Sequence, residues 1–229
     1  MLVTPTEHGL RLTQHGVVLS ELRTCPGPTH SVFDVLAASI AVLAPAGRIG
    51  VLGFAGGGMM APLRALDVKA VVHSVDLDRS GYDLFCQHCP QWRDGVRWQQ
   101  TDAVAWLQQQ APDFDLLLDD LSVPLNEDVF KPDVSWEGLP ELISARLRPG
   151  GFAVFNLLPA PGRTWKTDVE CIVGRFHVGR MIKLEDFENC ILIAGGSLPD
   201  ARSLGAQLRQ ILRQLGSKQA DRMRMQTLG

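Results

Sequence analysis

The sequence predicts an α/β domain built on a mostly parallel sheet that closes with an antiparallel hairpin. Three observations predict it. From residue 48 onward, short apolar runs alternate with segments of helical length and period. The runs at 48–53, 70–76, 96–100, 114–119 and 151–158 are rich in Val, Ile, Leu and Phe, the composition of parallel strands covered on both faces. Residues 179–185 and 189–195 are separated by only Asp186-Phe187-Glu188, a link that permits antiparallel pairing and is too short for a parallel crossover. Five parallel strands and this pair make a seven-stranded sheet.

The remaining elements follow in chain order. Residues 9–23, GLRLTQHGVVLSELR, hold two β-prone runs around Gln14-His15-Gly16 and read as a hairpin. Cys25-Pro26-Gly27-Pro28 interrupts the chain, and Thr29 reads as the N-cap of an apolar helix over 31–43. Further helices are expected at 59–66, 79–88, 102–109, 136–147 and 164–175, with a polar, amphipathic stretch from Ala201. The organisation is a hairpin segment at 1–28, one main domain at 29–216 and a polar tail at 217–229.

A chain of 229 residues suffices for one such domain with a buried core. A net charge of −3 supplies no electrostatic footprint for nucleic acid or an anionic membrane, so neither is an expected partner. The longest nearly apolar run, Val35 to Ala46, falls short of the roughly 20 residues of a membrane span. The N-terminus lacks the basic start and apolar run of a secretory signal. Five cysteines, an odd number, fit a reduced, cytoplasmic location better than a disulfide framework.

The chemistry sits at the carboxyl ends of the expected strands, where open parallel sheets bind ligands. The first strand runs into Gly53-Phe54-Ala55-Gly56-Gly57-Gly58, bare backbone that lets a ligand lie close and aims amide groups at it. Its spacing is neither G-x-G-x-x-G nor a P-loop, and a tight turn needed for packing is the plainer alternative. Asp76, followed by Leu77, ends the second strand 20 residues after Gly56, where an acceptor-only carboxylate suits a ribose diol. Asp102, followed by Ala103, ends the third strand; it suits the amino group of an adenine, or simply caps the next helix. Together these positions fit an adenosine without phosphates.

The stretches VLGFAGGG, VDLD, TDA and FDLLLDDLSVP resemble, in order and spacing, the spermidine synthase-like branch of the class I S-adenosylmethionine-dependent transferases. The resemblance runs from the N-terminal hairpin to about residue 195. It implies a Rossmann-like class I methyltransferase fold, with Gly53–Gly58, Asp76, Leu77, Asp102, Ala103 and Asp119 around the cofactor. The implied cofactor is S-adenosylmethionine or its decarboxylated form, and a homodimer is the family's common state.

The departures from that family carry more information than the matches. Polyamine synthases of this branch place an acid inside the glycine loop, where this chain has Gly56. They also carry D-x-x-D-P after the fourth strand, where this chain reads Asp120-Leu121-Ser122-Val123-Pro124 and lacks the second acid. Decarboxylated S-adenosylmethionine ends in a bare ammonium that needs such carboxylates, and burying it unpaired costs several kcal/mol. Methyl transfer from S-adenosylmethionine to a small acceptor is therefore the expected chemistry. Two alternatives stand: aminopropyl transfer relying on Asp119 and Asp120, and a non-catalytic nucleotide-binding or scaffold protein. A nicotinamide oxidoreductase is disfavoured by the loop spacing and the closing hairpin.

Residues 119–137 hold Asp119, Asp120, Glu127, Asp128, Asp133 and Glu137 against a single Lys131. An acidic lid there suggests a cationic or amine acceptor, although such runs are often only solvated loops. Asp120 is the foremost catalytic candidate, as base or as substrate-orienting group, with Asp119 beside it. Trp136 either packs in the core or on the surface or, lying near the acidic run, touches an acceptor. His30, Ser31 and Asp34 either face the methionine end of the cofactor or simply start a helix. Cys86 and Cys89 have C-x-x-C spacing, but with no second paired set they read as packing residues, and no metal is expected.

Overall fold

The computed structural model describes residues 2–14, 17–125, 128–158 and 165–228. His15 and Gly16 of the expected hairpin turn, Glu127 of the acidic run and residue 164 lie outside them. Three antiparallel strands open the chain: β1 (Leu2–Thr6), β2 (Gly9–Gln14) and β3 (Val17–Arg23). The expected hairpin is β2–β3; β1 is additional. Its Pro5 hides it in the sequence, yet a proline is tolerated on an edge strand.

The main domain then runs α1 (Val32–Leu43), β4 (Ile49–Leu52), α2 (Met60–Ala65), β5 (Val72–Asp76), α3 (Ser80–His88), β6 (Val96–Gln100), α4 (Ala103–Gln108) and β7 (Phe114–Asp119). A small hairpin of β8 (Val123–Leu125) and β9 (Asp128–Phe130) follows, then α5 (Leu139–Arg146), β10 (Leu147–Leu157), α6 (Trp165–Val173), β11 (Val178–Leu184) and β12 (Cys190–Gly195). The chain closes with α7 (Ala201–Leu215), α8 (Gln219–Arg222) and β13 (Met223–Leu228).

Eight strands form the central sheet in the order β13-β11-β12-β10-β7-β4-β5-β6. The five from β6 to β10 are parallel, and β12 and β11 add the antiparallel pair. The eighth strand corrects the expected polar tail. Residues 223–228 pair with β11 from Gly179↔Leu228 to Leu184↔Met223. Met223 is buried and Met225 half-buried while Arg224 faces out, so this edge strand needs only one apolar face, too thin a signal to stand out in sequence.

Side chains alternate between two cores. Ile49, Val51, Leu116, Leu118, Val154, Ile191 and Ile193 meet α1, α2, α3 and α7 on one face. Leu52, Val75, Leu117, Phe155 and Leu192 meet α4, α5 and α6 on the other. Helix α7 is amphipathic, burying Leu204, Leu208, Leu212 and Leu215. This two-layered cover holds the parallel strands in register, so Leu52, Asp76, Asp119 and Asn156 all end at one edge of the sheet. The functional candidates gather there.

Candidate active site

At that edge the chain turns sharply out of β4. Gly53 and Gly57 have φ of +88° and +70°, and Ala55 adopts the same left-handed region at +44°. A non-glycine residue is uncommon there and costs on the order of 1 kcal/mol or more. Asp76 supplies the restraint: its Oδ2 accepts the backbone N–H of Phe54 at 3.0 Å and of Ala55 at 2.8 Å. Its Oδ1 accepts the N–H of Asp78 at 3.1 Å. A carboxylate offers about four acceptor sites, so one on Oδ1 is left for a ligand hydroxyl.

At Gly56 and Gly58 the bareness of the loop follows the packing alternative. A Cβ on Gly56 would lie 2.5 Å from Cδ1 of both Leu12 and Leu22, and one on Gly58 2.8 Å from the Phe33 ring. The space over these glycines is filled by the N-terminal sheet and α1 rather than left open for a ligand. The Phe54 side chain is likewise buried, edge-on to Tyr82 and Phe85. Of residues 53–58, it is Ala55 that reaches the ligand-sized space.

That space comprises two cavities that share Leu19, Ala55, Asp120 and Ser122. The first, about 400 Å³, is bounded by Asp76, Leu77, Asp78, Asp102, Ala103 and the apolar side of Leu121, Val123 and Val134. Leu77 is 70% exposed, and Gly81 comes close enough to the Ala55 carbonyl that no side chain fits between them. Asp102 caps α4, its Oδ1 accepting from Ala105 N–H at 3.0 Å, and also lines this cavity. The second cavity, about 630 Å³, is lined by Phe33, Phe187, Asn156 and Asn189, with an Arg11–Glu21 ion pair of 2.7 Å in its wall. His30 and Ser31 line it too; Asp34 does not.

Helix α1 starts two residues later than Thr29 suggests. Ser31 is the N-cap, while Thr29 Oγ1–H and the N–H groups of Thr29 and His30 donate to the buried Asp34 carboxylate at 2.7–2.8 Å. His30 is bent into a left-handed conformation, φ +59°, with its carbonyl accepting from Gln219 Nε2 at 2.9 Å and its Nδ1 from Lys218 N–H at 3.4 Å.

Asp120 occupies the junction of the cavities. Asn156 Nδ2 donates to its Oδ1 at 2.6 Å, and Asn189 Nδ2 donates to Asn156 Oδ1 at 2.9 Å, which fixes the direction of the Asn156 amide. Burial pushes the Asp120 carboxyl up to about 6, partly offset by the Asn156 hydrogen bond and by Lys131. A carboxyl poised there exchanges protons near neutrality. Asp119 behaves differently. It is fully buried and paired with Lys131 Nζ at 2.9 Å, and it lines neither cavity. The structure therefore separates the two neighbouring acids.

The acidic run makes no acidic wall among the described residues. Asp133 and Glu137 are exposed and line neither cavity, whereas Pro132 and Val134 do. Trp136 is buried in the core beside Leu139 and Ile143. Cys89 is buried with its Sγ donating to the Arg23 carbonyl at 3.3 Å, and burial pushes its thiol up to about 11. It docks α3 on β3. Asn156, Asn189 and the placement of Lys131 escaped the sequence reading; the one signal was a polar Asn156 ending the apolar run GFAVF.

No family model matches the sequence, and no curated protein matches it. Solved structures do. A probable spermidine synthase from Corynebacterium glutamicum superposes with a TM-score of 0.79 at 16% identity, over 98% of this chain and 86% of that one. Human methyltransferase-like protein 13, in complex with SAH, gives 0.62 at 17% identity over 82% and 92%. A spermidine synthase in complex with the transition state analogue AdoDATO gives 0.64 at 10% identity over 93% and 73%. The fold is that of the class I methyltransferases and spermidine synthases. At these identities the likeness extends to architecture alone, and the α/β expectation, with its parallel sheet and closing hairpin, stands.

Proposed function

We propose that this chain is an S-adenosylmethionine-dependent methyltransferase acting on a small amine acceptor. The observation that carries the choice is the slot over Gly56. Where a polyamine synthase has a loop carboxylate, Leu12 and Leu22 fill the space, and a side chain at residue 56 would have to displace their methyl groups. The aminopropyl donor's ammonium would meet hydrocarbon there. The undecarboxylated cofactor carries its own carboxylate beside the same ammonium and so depends less on that acid.

The residues present suit an adenosyl group. One free acceptor site on Asp76 Oδ1 takes a ribose hydroxyl, Asp102 keeps Oδ2 for an exocyclic amine, and Leu77, Leu121 and Val123 form apolar walls for a purine. Ala55, bent by Asp76, marks where the nucleoside leaves the smaller cavity for the larger. Bound S-adenosylmethionine supplies an electrophilic methyl group on a sulfonium. Asp120 stands where both cavities meet, so its carboxylate holds the acceptor amine and takes the proton that the nitrogen loses. Asn156 and Asn189 hold that carboxylate in one direction, and alignment of nucleophile and methyl group does the rest.

The structures in complex with SAH and with AdoDATO support an adenosyl ligand in such a fold, and they stand on opposite sides of the reaction question. Product analysis divides them. With S-adenosylmethionine and a panel of primary and secondary amines, mass spectrometry is expected to find S-adenosylhomocysteine and a methylated amine. Methylthioadenosine formed from the decarboxylated cofactor would establish aminopropyl transfer instead. Calorimetry showing no binding of either cofactor would remove the reading altogether.

A further inference from the structure

Lys131 is buried, 3% exposed, in the segment that follows β9. Its ammonium has three protons to donate, and the structure gives it three acceptors: Asp119 Oδ1 at 2.9 Å, the Asp119 carbonyl at 3.1 Å and the Leu121 carbonyl at 3.0 Å. The two carbonyls flank Asp120. One cation therefore grips the backbone immediately before and after the residue at the cavity junction. Neutralising Asp119 alone would require only the carboxylate contact. Leu121 is in the wall of the smaller cavity, and Val129, two residues before Lys131, is in the wall of the larger.

We propose that Lys131 is a positioning residue for Asp120: by pinning the peptide carbonyls on either side of it, Lys131 holds the carboxylate against Asn156 and at the junction of the two cavities. The inference rests on the reading of Asp120 as the acceptor-facing group. The β8–β9 hairpin precedes Lys131, so the same contact ties this hairpin to the end of β7. The charged groups bearing on Asp120 are Lys131 from this segment, Asp119 on β7 and Asp76 at the end of β5; the first favours its ionised form and the other two oppose it.

The Asn156 side-chain amide reports the position of Asp120 directly, because its Nδ2 donates to Asp120 Oδ1 at 2.6 Å. Removing Lys131 alone would strand the buried Asp119 charge and threaten the fold. The test variant is therefore Asp119→Asn with Lys131→Met, a neutral replacement of the pair. Nuclear magnetic resonance is expected to show the Asn156 amide protons exchanging about tenfold faster than in the unaltered chain. Unchanged exchange in the folded variant overturns the inference, whatever happens to the Asp120 titration, because loss of the charge alone moves that titration. Should the double variant fail to fold, Lys131→Arg keeps the charge, but its planar fork cannot meet the same three acceptors. Faster exchange in it supports the inference and unchanged exchange overturns it. Asp120→Asn keeps a carbonyl acceptor for Asn156. If that variant transfers methyl groups at the unaltered rate, the reading of Asp120 fails, while the exchange result still reports on Lys131.

Discussion

With Asp120 as the acceptor-facing group we propose, its proton ties stability and transfer together with opposite signs. Its carboxyl titrates near 6 in the folded chain, above its ordinary value of 3.8. Between those values the folded state holds the extra proton. The associated stability is fully present below about pH 4 and is lost as pH rises through about 6. Above that, the fold carries a half-buried charge that Asp120→Asn would remove. Calorimetric melting at pH 8 is expected to rise by roughly 2–8 °C in the variant, from roughly 1–2 kcal/mol after allowance for solvent screening. At pH 4 the gain should vanish. Transfer should follow the reverse order: in the unaltered chain the rate climbs with pH through about 6 to a plateau, and the variant loses about 100-fold or more. A flat pH–rate profile would remove Asp120 from proton transfer.

The contact between the N-terminal sheet and the glycine loop belongs to the scale of elements. Leu12 on β2 and Leu22 on β3 close over Gly56, so an acid introduced there should displace their methyl groups and strain the contact. Gly56→Asp is expected to cost roughly 2–4 kcal/mol, from overpacking and a buried carboxylate, and to confer no affinity for the decarboxylated cofactor. Urea denaturation and calorimetry check the two halves. The parallel strands were legible because both their faces are buried, which leaves unbroken apolar runs such as FDLLLD. The glycine loop was legible as a turn, but not its reason: glycine bareness looks the same in sequence whether ligand or leucine approaches it. Asp76 could be placed by spacing, whereas Asp119 and Asp120 look alike until the alternation of a strand sends one to the core and the other to the cavity. Lys131 read as a lone cation in an acidic run, since its three acceptors are two backbone carbonyls and a carboxylate that only the fold brings together.

At the scale of the molecule, the last segment is part of the architecture. Strand β13 covers the backbone edge of β11 through six residue pairs. Deleting residues 217–229 should expose that edge, lower the melting temperature and promote association of chains through the open strand. Scanning calorimetry and light scattering would register both effects, and a truncated chain that melts and scatters like the full one would contradict this role. The same segment grips His30, whose partners Lys218 and Gln219 are 188 and 189 positions away along the chain. During synthesis, then, the rim of the larger cavity cannot take its final shape until residues 218 and 219 have left the ribosome. A chain with all its parallel strands in place but without this segment would still lack a finished wall to the larger cavity.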